Sequence, residues 1–166
     1  MVVEKECAIN AEGLPNPGLE KYVGDIKKFK SYVKESGNNV VLIGSSLGFD
    51  EKNSFDINCL VEVSRGLAEA GADAIELNLS CPHSDPKKVG GSCLVAQDPS
   101  LVKEVTKEVK NAVGVPVIIK LSPAVIDIGE IAKAAEDGGA DAISGINTVP
   151  AINIFTEKDK EGRPKL

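Results

Sequence analysis

The sequence predicts an α/β protein of the (β/α)8 TIM-barrel type, with only about half of the barrel present. Three observations carry that expectation: continuous apolar strand runs alternating with helical patterns, a repeated helix-to-strand junction, and polar residues closing successive strands. The strand runs lie at residues 40–45, 74–79, 115–121 and 142–146. They are continuous rather than alternating, as expected of parallel strands covered on both sides. Between them, 55–70 carries Leu60, Val63 and Leu67 at helical spacing. A second helix follows Asp98 as N-cap, takes Pro99 at its first position, and runs to Val113 with Gly114 closing it. A third starts behind Asp127, covers 128–135 and ends at Gly138 and Gly139.

The junction AGADAIELN (70–78) returns as GGADAISGIN (138–147), which points to a repeated βα architecture. An open doubly wound sheet would place a glycine-rich phosphate loop directly after a strand, and no GxGxxG or GxxxxGK[ST] occurs. A barrel instead places polar groups where strands end. Asn78, Ser80 and Cys81 end one run, Lys120 and Ser122 the next, and Asn147 and Thr148 the last. A complete barrel takes about 250 residues. The 166 residues here therefore read as one partial domain, 1–166, holding central βα units, with the first and last strands missing. On that reading the chain is a fragment or truncated gene product, without turnover in isolation.

Composition narrows the function. A net charge of −6 argues against a nucleic-acid partner, which needs clustered cations, and 4% aromatics leave little for base stacking. Lys27, Lys28 and Lys30 sit beside acids and read as a solvated helix face. No apolar run approaches the ~20 residues that span a bilayer, so no membrane role is expected, and the location is read as cytoplasmic. The four cysteines show no CxxC pair and no cluster spacing. Cys59, on a helix, reads as a small buried hydrophobe.

The chemistry gathers at the strand ends. Cys81 precedes a proline, which disfavours the helical region and leaves the thiol extended towards the barrel mouth. With a pKa near about 8.5 it can act as an acid or base, or as a nucleophile if a base is at hand. The plainer alternative is an inert buried cysteine. Lys120 closes an apolar strand with a cation, whose burial an electron-rich ligand would offset. A lysine that simply reaches solvent is the competing reading. Asn78 and Asn147 hold equivalent places in the echo, either as caps or as amides suited to a heterocycle with C=O and N–H edges. Cys81, His83 and Cys93 form an awkward chelate without a fourth ligand, so no metal is expected.

Four segments, NAEGLPNPG (10–18), ELNLSCPH (76–83), VIIKLSP (117–123) and INT (146–148), resemble the class 1 dihydroorotate dehydrogenases and the related pyrimidine-reducing domain of dihydropyrimidine dehydrogenase. The match runs in order along nearly the whole chain, and the N-[LI]-S-C-P-[NH] motif is highly specific. The resemblance implies an FMN-containing barrel that oxidises dihydroorotate to orotate, passing a hydride from the pyrimidine C6 to flavin N5. It implies Cys81 as the general acid/base at C5. Lys120, Asn78 and Ile146 would contact FMN. Asn10, Glu12, Gly13, Leu14, Asn78, Asn147 and Thr148 would surround the pyrimidine, and residues 82–97 would form a lid. Glu12 and His83 look more like the dihydropyrimidine dehydrogenase domain, which keeps uracil or thymine reduction as the alternative. A homo-oligomer and an electron-transfer subunit are the partners implied. A non-catalytic remnant associating through open strand edges, and a flavin-free lyase or isomerase barrel, are the readings from other classes.

Overall fold

The computed structural model describes residues 2–4, 7–9, 17–49, 55–79, 95–149 and 160, the first two segments by their backbone alone. Strands β1 (Val2–Glu4) and β2 (Cys7–Ile9) pair antiparallel as a small hairpin that periodicity did not reveal. Helix α1 (Leu19–Ser36) follows, then β3 (Ile43–Ser46), α2 (Ile57–Ala70), β4 (Ala74–Asn78), α3 (Pro99–Ala112), β5 (Val117–Lys120), α4 (Ile128–Asp137) and β6 (Ala142–Ser144). All four strand runs and all three helices expected from the sequence are present. The strands are shorter than the apolar runs because each ladder lasts only where a neighbour pairs. Val40 and Val41 precede the pairing of β3 and remain exposed.

The four parallel strands lie in the consecutive order β3-β4-β5-β6. The helices form one layer: α1 packs on α2, α2 on α3, and α3 on α4. A doubly wound sheet reverses its strand order and carries helices on both faces. Consecutive order with the described crossover helices on one side is the (β/α)8 arrangement, of which these strands supply four. Side-chain alternation separates the faces. Ile75, Leu77, Val117 and Ile119 point into the helix layer and are at most 1% exposed. Glu76, Asn78, Ile118, Lys120 and Ser144 alternate with them or pair beside them, and are half-buried on the opposite face. That second face corresponds to the inside of a barrel.

The helix caps follow the sequence closely. Asp98 accepts from the Ser100 and Leu101 N–H groups, and Asp127 from Gly129 and Glu130. Asp56 caps α2 through the Asn58 N–H, so that helix starts at Ile57 rather than residue 55. Helix α3 ends on Val113 in an extended conformation, one residue before the glycine expected to close it.

The repeated Gly-Ala-Asp has a structural cause. Gly71 and Gly139 both adopt positive φ, 117° and 96°, which lets each helix turn sharply into the next strand. The following aspartate braces the entry to the sheet. Asp73 donates its N–H to Leu42 O, accepts the Leu42 N–H on its carboxylate at 2.8 Å, and binds Lys30 Nζ at 2.7 Å. Asp141 repeats this with Val117 and Lys110. Lys30 is thus an anchor rather than part of a solvated face. Gly138 serves space instead: a Cβ there would lie 2.6 Å from the Lys103 carbonyl, where α4 meets α3.

Both braces make stability depend on pH. The Lys30 ammonium first, then the Leu42 N–H, hold the Asp73 carboxyl below its ordinary value of 3.8. Lys110, then the Val117 N–H, do the same for Asp141. A depressed carboxyl contributes stability that is present above the unfolded value and lost as pH falls through the folded one. With both carboxylates more than a third exposed, each brace is worth at most about 1 kcal/mol. Asp73→Asn and Asp141→Asn should therefore lower the urea midpoint at about pH 7, and the difference should shrink as pH falls below the ordinary carboxyl value of 3.8.

Candidate functional site

The carboxyl ends of β4, β5 and β6 bring one polar cluster onto the face opposite the described helices. Asn78 stands in register with Lys120, and Lys120 with Ser144. Paired residues of parallel strands share a face, so these three side chains form one row. Glu76 lies two residues earlier on β4, on the same face. Beyond β6 the chain stays tied to β5: Leu121 N–H donates to Ser144 O, and Asn147 N–H to Leu121 O, both at 2.9 Å. This brings Asn147 back over the row, where its Nδ2 donates to Asn78 Oδ1 at 2.8 Å. The two asparagines that close the echoed segments are therefore direct neighbours. Thr148 is exposed beside them, with its N–H on Asn147 Oδ1 at 2.7 Å. Ile146 is also exposed, giving the rim an apolar element.

Lys120 is not the unpaired cation the sequence suggested. Its Nζ lies 3.7 Å from Glu76 Oε1, and Ser144 Oγ donates to Glu76 Oε2 at 2.9 Å. Sequence reading passed over Glu76 and Ser144. The available signal was an acid in the middle of an otherwise apolar strand, AIELN, which tertiary structure tolerates only with a partner.

The site is held from below and from the side. Leu79, Leu121 and Ser122 are buried directly after their strands, and Ser122 Oγ accepts the Ala124 N–H at 3.1 Å. Val95 and Ala96, the last part of the expected lid, are buried in the core, and Gln97 Nε2 donates to Ala124 O at 2.8 Å. The 95–97 end is thus an anchor rather than a loop over the site. Cys59 is half-buried rather than fully buried, and its Sγ donates to Phe49 O at 3.2 Å. Asn10, Glu12, Gly13, Leu14 and Cys81 lie outside the described residues, as do His83 and Cys93 of the rejected metal reading.

An ammonium, two carboxamides and hydroxyls lie together at the strand ends of a barrel-type sheet, the end at which barrel enzymes build their sites. The chain matches the family model described as dihydroorotate dehydrogenase over residues 1–165, and it belongs to that family. Among its relatives is the dihydroorotate dehydrogenase B (NAD(+)) catalytic subunit of Methanocaldococcus jannaschii, 41% identical over 152 residues, which are 90% of this chain and 45% of that protein. The corresponding subunit of Methanocella arvoryzae is 44% identical over 154 residues, 93% of this chain and 45% of its own length. The chain thus spans under half the length of these curated relatives. Among solved structures, the carboxyl transferase domain of Rhizobium etli pyruvate carboxylase aligns with a TM-score of 0.51 at 16% identity, over 75% of this chain and 19% of that one. A deoxyribose-phosphate aldolase-like chain of Toxoplasma gondii aligns at 0.52 and 23%, over 76% and 48%. These last two likenesses concern the fold alone. Among the described residues, no helix is long and apolar enough to cross a membrane.

Proposed function

We propose that this chain supplies the pyrimidine-facing strand ends of an FMN-dependent dihydroorotate dehydrogenase. The observation that carries the reading is the Asn78–Asn147 amide pair beside Lys120, on the sheet face opposite the described helices. The donor set fits both ring systems. Carboxamides can match the alternating C=O and N–H edge of a pyrimidine. An ammonium can sit against the electron-rich edge of a flavin. When bound, FMN would supply the two-electron acceptor that no side chain provides. Lys120, Asn78 and Ile146 would hold its ring. Asn10, Glu12, Gly13, Leu14, Asn78, Asn147 and Thr148 would orient the substrate, and Cys81 would take the proton from C5. Residues 82–94 would shield the site from water.

The relatives' names support dihydroorotate over a neutral dihydropyrimidine. Their description as NAD(+)-linked catalytic subunits supports an electron-transfer partner and NAD+ as the final acceptor. We place the protein in the cytoplasm as one partial barrel domain, within a homo-oligomer.

Titration with orotate tests the substrate site directly. The side-chain NH2 resonances of Asn78 and Asn147 should shift together and saturably in a nitrogen-edited NMR spectrum. Shifts confined to other residues would overturn the assignment of the amide pair.

A further inference from the structure

We infer that Glu76 is a positioning residue for Lys120, held in place by Ser144. This rests on the reading above for the identity of the ligand, but not for the geometry. Glu76 and Lys120 lie on adjacent strands, with side chains 21% and 30% exposed, so both charges are largely withdrawn from water. Leaving either one alone there would be costly. The two carboxylate oxygens are used differently. Oε2 accepts a hydrogen bond from Ser144 Oγ at 2.9 Å, which fixes the carboxylate across β5 from β4 to β6. Oε1 faces Lys120 Nζ at 3.7 Å. Charge-assisted N–H···O bonds run at about 2.7–2.9 Å, so this contact is an attraction rather than a hydrogen bond. Glu76 therefore steers the ammonium while leaving its donors directed to the strand ends, beside Asn78.

The arrangement has a second consequence. A carboxylate beside Lys120 offsets part of the positive charge presented to a ligand. An electron-rich ring at the strand ends would meet a cation whose strength Glu76 moderates, and removing the carboxylate should strengthen the stabilisation of a reduced, anionic flavin.

The test uses the longest natural polypeptide that contains this sequence, with Glu76→Gln, Glu76→Ala and Ser144→Ala. In flavin-free protein, acylation of Lys120 by an amine-reactive ester, followed by peptide mass spectrometry, reads how firmly the ammonium is held. It should be several-fold faster in Glu76→Ala and Glu76→Gln than in the parent, and intermediate in Ser144→Ala, with other lysines unchanged. In flavin-loaded protein, Glu76→Gln should shift the equilibrium towards reduced flavin by about tenfold, or about 30 mV for a two-electron couple. Glu76→Gln keeps shape and an acceptor for Ser144, so it stays informative if Glu76→Ala does not fold. An unchanged Lys120 acylation rate in Glu76→Gln would overturn the positioning role. Failure of the parent to bind FMN would sink the proposed function and leave the acylation result standing.

Discussion

Replacing Cys81 by Ser should slow reduction of bound flavin by dihydroorotate by about 10²–10⁴-fold, the range that general acid/base groups contribute. The chemistry explains the size. A thiol ionises near about pH 8.5, so a useful fraction is available as base near neutrality. A serine hydroxyl is a far weaker acid and would need a separate base to accept the C5 proton. The substitution keeps nearly the same shape, so orotate affinity should change little while the rate of flavin bleaching falls. Stopped-flow absorbance under anaerobic conditions separates the two. The loss should lessen as pH rises if the missing group is a base, because solvent hydroxide then competes for the role. An unchanged bleaching rate would remove Cys81 from the proton transfer.

Leu77→Ala and Asn78→Ala, neighbours on one strand, should fail in opposite ways. Leu77 is fully buried between β4 and the helix layer. Truncating it leaves a cavity worth about 2–5 kcal/mol, or a fall in Tm of roughly 4–20 °C for a domain of this size. Asn78 points to the other face, where its Oδ1 accepts from Asn147. Its loss should cost stability less than about 1 kcal/mol and weaken orotate binding by about tenfold or more. Thermal melts paired with orotate titrations distinguish the two residues. Equal losses of stability would mean that the two faces are not divided between core and site.

The contrast between these neighbours explains what the sequence could show. Continuous apolar runs located the strands, and Asp98, Asp127 and the Gly-Ala-Asp repeat located the turns, because such signals are local. Asn78, Lys120 and Asn147 were legible because polar groups at strand ends stand out against apolar runs. Glu76 and Ser144 were not, since their meaning lies in pairing across β5, which only the register supplies. Helix α1 was read only as a solvated face around Lys27, Lys28 and Lys30, without its bounds or inward side, for a different reason. Its inward stripe is thin, with Ile26 its sole buried residue, and the stripe includes Lys30, whose partner lies 43 residues away. Cys59 was expected to be inert and buried, but its position near Phe49 O depends on how the 47–49 segment returns over α2.

The family resemblance and the geometry meet at the strand ends, and one experiment addresses both. The longest natural polypeptide containing this sequence, purified with FMN, is mixed anaerobically with dihydroorotate and, separately, with dihydrouracil, while the visible flavin absorbance is followed. Rapid bleaching by dihydroorotate, with little or none by dihydrouracil, is the expected result. Bleaching by dihydrouracil alone, or a protein that retains no flavin, would contradict it.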